Sequence, residues 1–330
     1  TNQGKITFDS SNNKVVIAYN NGGDSGHGYA IVGTVSGTSI SFGSAAEFEN
    51  AVISDPAITF DSSNNKVVIA YRDEGNSNYG TAIVGTVSGT SISYGSAAVY
   101  ESANASETAI TFDSSNNKVV IAYNDGGNSD YGTAIVGTVS STSISFGSAA
   151  VFESASTSNI TATFDSSNNK VFIGYRDEGN SNYGTSIIGT VSGTSISFGS
   201  PVVFNSYQVV ALGATFDSNV NKVILVFLDY TLIGSGITRG MVIVGTISGT
   251  SVSYNTAVTF DGNTQTTYNQ AVFDSSTNRT LILYHDDGNS SYGTARVFAP
   301  AVPTNLTTEN YIGIANSCSF HGATETFTVT

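Results

Sequence analysis

Tryptophan is absent from this chain, cysteine and methionine occur once each, and proline appears four times in 330 residues. With Cys318 alone, no disulfide can form within one chain, so cysteine usage leaves the redox compartment open. Basic residues are scarce: 11 Lys and Arg stand against 25 Asp and Glu, a formal charge of −14. Without a basic cluster there is nothing to neutralise phosphates, which excludes nucleic acid as a natural partner, and anionic membrane surfaces are disfavoured on the same ground. No apolar run approaches the roughly 20 residues that span a bilayer, and residues 1–20 show no basic-then-apolar signal pattern. Charged residues make up 11% of the chain, against a usual value of about 25%. Gly, Ser, Thr, Asn, Val and Ile take their place, and this is a β composition.

These residues are arranged as one unit copied six times. A Phe-Asp-Ser signature falls at Phe8, Phe60, Phe112, Phe164, Phe216 and Phe273, spaced by 52 residues four times and then by 57. The cleanest copy runs from Thr161 to Phe204. Repetition from end to end without a linker predicts one closed domain over 1–300, with 301–330 as a C-terminal β tail.

Within the second repeat, Ala57–Phe60 reads as a short strand, DSSNN at 61–65 as a turn whose polar side chains bond their own backbone, and Lys66–Tyr71 as the second hairpin arm. Consecutive apolar residues there, and again in Thr81–Val87, predict burial on both faces. Gly85, repeated at Gly33, Gly137, Gly189 and Gly245, marks a bulge or a close backbone approach. In SISYGSAAVY the alternation of Ile92 and Tyr94 with serines predicts a half-exposed outer strand. Segments such as EFENAVISDP then read as loops joining blade to blade. Four antiparallel strands, buried inside and wet at the rim, predict a propeller blade, and radial closure protects the edges that an open sheet of some 24 strands would leave. The fold expected is therefore all-β, a β-propeller of six four-stranded blades, with seven blades and a β-solenoid as the alternatives. Repeat 6 lacks its own outer strand, so the tail, with candidate strands Tyr311–Ala315 and Thr326–Thr330, is expected to complete or cap the last blade.

The repeat FDSSNNKVVIAYRDEGNSNYGTAIVGTVSGTSISYGS and the closing NLTTENYIGIA resemble repeat regions of tail-fibre and other virion structural proteins of marine bacteriophages, with relatives in marine bacteria. The resemblance spans nearly the whole chain. It implies an extracellular or virion setting, a structural or host-contact role, and other virion or surface-assembly subunits as partners. It transfers no catalytic residue.

In such a ring the loops between the second and third strands share one face. That face collects Asp24, Asp73, Glu74, Asp125, Asp130, Asp177, Glu178, Asp229, Asp286 and Asp287. An acidic ring of this kind suits Ca²⁺, which takes about 6–8 oxygens; the plainer alternative is turn chemistry, and no EF-hand spacing is present. No other cofactor is expected. Tyr79, Tyr131, Tyr183 and Tyr292 close the same loops, and an aromatic beside Asp and Asn is how a shallow site stacks a sugar and bonds its hydroxyls. The candidate ligand set is thus Asp73, Asn76 and Tyr79; Asp125, Asn128 and Tyr131; Asp177, Asn180 and Tyr183; Asp286, Asn289 and Tyr292. The plainer alternative packs each tyrosine on its neighbour.

Repeat 5 departs from the pattern with apolar residues, and Tyr207, Val209, Leu228, Tyr230, Leu232, Ile233 and Ile237 form a candidate protein contact, or else pack on one another. The lysines after the turns, Lys14 to Lys222, are expected to end in water. His27, His285 and His321 are isolated, without metal spacing. Arg72, Arg176 and Arg239 belong to different repeats, and the S-x-D-x-G-x-x-W box of sialidases is missing. The reading that follows is a non-enzymatic structural or recognition module of a virion or cell surface. A lectin-like glycan binder is the alternative, and a glycoside hydrolase comes third.

Overall fold

A computed structural model describes residues 3–232, 237–261, 266–290 and 292–300, with side chains for all of these except 231, 232 and 237. The tail strands expected at 311–315 and 326–330, and the tail's part in the last blade, lie outside the described residues.

The described residues form a β-propeller of six blades. Blade 1 begins with β1 (Gly4–Asp9), β2 (Lys14–Asn21), β3 (His27–Ser36) and β4 (Ser39–Phe42), and β5 (Ala46–Asp61) leads into blade 2 with β6 (Lys66–Asp73), β7 (Tyr79–Ser88) and β8 (Ser91–Tyr94). The same order follows in β9 (Ala98–Asp113), β10 (Lys118–Asp125), β11 (Tyr131–Ser140) and β12 (Ser143–Phe146), then β13 (Ala150–Asp165), β14 (Lys170–Asp177), β15 (Tyr183–Ser192) and β16 (Ser195–Phe198). Blade 5 uses β17 (Val202–Asp217), β18 (Lys222–Leu232), β19 (Ile237–Ser248), β20 (Ser251–Tyr254) and β21 (Val258–Thr259); blade 6 shows β22 (Thr266–Asp274), β23 (Arg279–Asp286) and β24 (Tyr292–Phe298). All pairings are antiparallel, and the sixth sheet has three strands among the described residues.

Two expectations are corrected. The outer strand is not continuous: β8 pairs with the end of β7, while the start of β9 pairs with its beginning. The supposed blade-to-blade loops are strands too. Each 16-residue strand starts at the rim of one blade and ends as the innermost strand of the next, as β5 does between β3 and β6.

The repeated turn has a direct cause. Asp61 accepts from the Ser63 and Asn64 backbone N–H at 2.9 and 3.0 Å, the Asn64 amide reaches its second oxygen at 2.8 Å, and Asn65 adopts a left-handed φ of 53° that asparagine tolerates. The turn also ties blades together, because the Ser63 hydroxyl donates to the Asn117 side-chain oxygen of the next blade at 2.5 Å. Two of the lysines do not end in water: Lys14 and Lys222 donate to the Thr34 and Thr246 hydroxyls, each at 2.9 Å. Gly85 lies under Ile92, whose Cδ1 would stand 2.7 Å from an added Cβ, so close approach rather than a bulge explains it.

Blades pack by alternating faces. Between blades 2 and 3 the trailing face of Val68, Ala70, Ala82 and Val84 meets the leading face of Val119, Ile121, Tyr123, Ile135 and Ile144. Five such cores join six blades. Among the described residues, no such core joins the leading face of blade 1 to the trailing face of blade 6. Ile40 is 44% exposed where its counterpart Ile92 is 7%, and Val297 is 67% exposed where Val84 is 0%.

Candidate functional site

The predicted loop sets lie one to a blade, in blades 2, 3, 4 and 6. In the blade 2 loop, Asp73 is buried and caps a 3₁₀ turn, its carboxylate accepting from the Asn76 N–H at 3.0 Å. Asp125 accepts from the Gly127 N–H and Asp177 from the Asn180 N–H, both at 3.0 Å. Burial pushes all three carboxyls above the ordinary aspartate value, and the backbone N–H bonds oppose that shift. Asn76, Asn128, Asn180 and Asn289 are exposed, and Tyr79, Tyr131 and Tyr183 are half-buried, whereas Tyr292 is 64% exposed. Asp286 starts the same kind of turn in blade 6. Asp73, Asp125 and Asp177 thus cap their own loops.

Behind the loops lies a repeated pair that sequence reasoning missed. Tyr71, Tyr123 and Tyr175, fully buried, donate their hydroxyls to Glu49, Glu101 and Glu153 at 3.0 Å. Burial raises those glutamates, and the tyrosine bonds pull them part of the way back. The signal was present in EFEN, VYES and VFES, whose glutamate keeps one register through three repeats.

A cavity sits elsewhere, at the loop-face end of the inner strands. The inner strands of blades 2 to 6 each carry a β-bulge, and the residue inside it is left-handed: Asp55, Glu107, Asn159, Ala211 and Tyr268, with φ between 50° and 55°. The bulges are bonded head to tail. The Glu107 N–H donates to Asp55 Oδ2 at 3.3 Å, the Asn159 N–H to Glu107 Oε2 at 2.8 Å, and the Ala211 N–H to Asn159 Oδ1 at 2.7 Å. Gln3 opens the series by accepting from the Asp55 N–H at 2.6 Å. Together with Lys5 and Gln270 these residues line a cavity of about 510 Å³ at the mouth of the central channel, within the range of small-ligand pockets.

The electrostatics of the mouth are mixed. Burial raises Glu107, and the Asn159 N–H offsets part of that rise. Crowding by the surrounding protein lowers Lys5, although the side chain reaches solvent through the mouth, and Asp55 and Glu107 counteract the shift. Arg72 stands 3.8 Å from Asp55 and 3.2 Å from Glu74 and donates to Ser54 at 2.7 Å. Arg176 pairs with Glu178 at 2.6 Å and holds that carboxyl below its usual value. Tyr268 is the aromatic member of the ring: it is 78% exposed and meets His285 edge-on at 6.2 Å.

Two further expectations change. Val209 and Leu228 are fully buried, Val209 within the core shared by blades 4 and 5, so neither offers a partner contact. Tyr207 is 50% exposed and Tyr230 half-buried; the side chains of Leu232, Ile233 and Ile237 lie outside the described residues. His27 is not isolated either, since the fold brings it to Asp24 and Glu47. Among the described residues this is the one group of at least three His, Cys, Asp or Glu side chains with metal-binding geometry, and no ring of loop carboxylates converges as a calcium site would.

No family model matches the chain, and no curated protein matches it by sequence. Solved structures do. A protein of unknown function from Dyadobacter fermentans aligns with a TM-score of 0.57 at 12% identity over 89% of this chain and 92% of its own. The BP39L lectin of Burkholderia pseudomallei aligns at 0.63 with 11% identity, over 90% and 80%. A Trypanosoma rangeli sialidase aligns at 0.52 with 14% identity over 89% of this chain and 54% of the enzyme. At these identities the likeness is one of fold.

Proposed function

We propose that this propeller is a carbohydrate-binding module that recognises a glycan at the mouth of its central channel without turning it over. Tyr268 carries the reading. A bulky side chain in a left-handed bulge is strained, and strain of this kind is kept where the surrounding structure needs it. Here it projects an exposed aromatic ring beside a cavity that offers carboxylate, amide and ammonium groups within one small volume. An apolar ring face flanked by hydrogen-bonding groups is what a pyranose requires, one CH-rich face to stack and hydroxyls to bond. A lectin among the structures of this fold supports the same ligand class. The placement on a virion or cell surface rests on the resemblance of the repeat, and carbohydrate recognition is a host-contact role that fits it.

The test is a glycan array probed with the chain and with Tyr268→Ala. Specific binding by the parent that falls at least about tenfold in the variant is expected, in line with the loss of roughly 1.4 kcal/mol or more. Binding that the variant retains would move the site to the loops. Asp55 and Glu107 are groups a glycosidase would also use, so reducing-end release is assayed on every bound glycan; release would overturn the binding-only reading.

A further inference from the structure

Blade 1 departs from the repeat at four positions that meet in space. Where the second repeat has Asn76, Tyr79, Thr81 and Val99, with the same residue types in the third and fourth, the first has Asp24, His27, Tyr29 and Glu47. His27 Nδ1 lies 2.9 Å from Glu47 Oε1 and 3.7 Å from Asp24 Oδ2. The Tyr29 hydroxyl donates to Asp24 Oδ2 at 2.6 Å. One ligating atom from each of Asp24, His27 and Glu47 falls within 4.8 Å of the other two. Ligand atoms held about 2.1 Å from a tetrahedral metal stand about 3.4 Å apart, and the separations of 2.9 and 3.7 Å bracket that value.

We propose that Asp24, His27 and Glu47 bind a first-row divalent cation, with Zn²⁺ the best fit. An imidazole nitrogen selects against Ca²⁺ and Mg²⁺, which take oxygen ligands, and two carboxylates neutralise a dication. Tyr29 bonds one ligand and orients it, the service that groups behind a metal's direct ligands commonly provide. The loop is braced for the purpose by the backbone. Asp24 and Gly26 donate to the Asn21 carbonyl at 2.9 Å, and the His27 N–H donates to the Asp24 carbonyl at 3.0 Å. A His27–Glu47 ion pair and a Tyr29–Asp24 hydrogen bond would account for the four changes two by two, but not for the approach of Asp24, His27 and Glu47 to within 4.8 Å of one another. The three ligands are partly exposed, at 21% to 47% of their side-chain surface, so an ion can enter from solvent and keep an exchangeable position.

The experiment is calorimetric titration of the whole chain with Zn²⁺ alone, in a Cys318→Ser background so that the lone thiol cannot contribute. One ion per chain is expected, with uptake abolished by His27→Tyr and by Glu47→Val. Each substitution restores the residue that the second repeat carries at that position, and circular dichroism checks that the variants are folded. Tyr29→Thr, which leaves the ligands in place, should weaken binding about 10–100-fold. Zn²⁺ should raise the melting temperature of the parent and leave that of His27→Tyr unchanged. Absence of saturable one-to-one uptake by the parent overturns the proposal, as does uptake that survives both ligand substitutions.

Discussion

The side-chain oxygen of Asn159 accepts a 2.7 Å hydrogen bond from the backbone N–H of Ala211, the residue one repeat further on. The bulge-to-bulge series around the channel mouth stops there, since Ala211 has no side-chain acceptor to offer Tyr268. Asn159→Ala should cost about 1–2 kcal/mol by orphaning a donor. Ala211→Asn should gain about 0.5–1.5 kcal/mol by extending the series with a residue that tolerates the left-handed conformation. Urea unfolding measures both, and equal effects of opposite sign from the expected ones would dismiss the ring as a stabilising device.

Unequal burial predicts that identical substitutions in equivalent positions have unequal effects. Ile92 is 7% exposed and Ile40 44%. Ile92→Ala should therefore destabilise by about 2–4 kcal/mol, and Ile40→Ala by less than about 1 kcal/mol. Matching losses in chemical denaturation would mean that something covers the first blade in solution.

Tyr268 should show stability and recognition pulling apart. Tyr268→Gly removes the left-handed strain, which costs of order 1–3 kcal/mol, and adds backbone freedom to the unfolded chain, so a net gain of up to about 1 kcal/mol is expected. Glycan binding should be lost in the same variant. A lower melting temperature with binding intact would assign the ring to packing.

The glutamates bonded to the buried tyrosines, and the capping aspartates, set a pH dependence of definite sign. Their folded pKa values lie above the ordinary 4.5 and 3.8, so the native state holds protons that the unfolded chain has released. That contribution is fully present below the unfolded values and is lost as pH rises through the folded ones. The net charge of −14 acts in the same direction. Melting temperature should accordingly be higher at pH 5 than at pH 8, and the triple variant Glu49→Gln, Glu101→Gln, Glu153→Gln should flatten the profile. Asp274 runs the other way: its carboxyl, bonded by Ser276 and Thr277, is held down to about 2 and favours the fold above the unfolded value. A stability that climbs steadily from pH 5 to pH 8 would contradict the assignment.

The sequence by itself determined the repeat, the blade and the turn, because each is written in local chemistry. Phe-Asp-Ser recurs at a fixed interval, buried strands read as unbroken apolar runs in KVVIAY and TAIVGTV, and Asp61 and Asn65 carry their own turn. It also placed Asp73 at a loop start, where a short carboxylate beside backbone N–H groups becomes a cap. Tertiary structure alone decided the site. Nothing local distinguishes Glu107, Ala211 or Tyr268 as left-handed bulge residues, since that conformation is imposed by strands that belong to two blades at once. The convergence of Asp24, His27 and Glu47 likewise depends on pairing between β3 and the far end of its neighbour, 20 residues away in sequence. Burial of Val209 and Leu228 was hidden for the same reason: an apolar residue in a variant repeat faces core or solvent according to which blade stands beside it, and that neighbour is supplied by the ring.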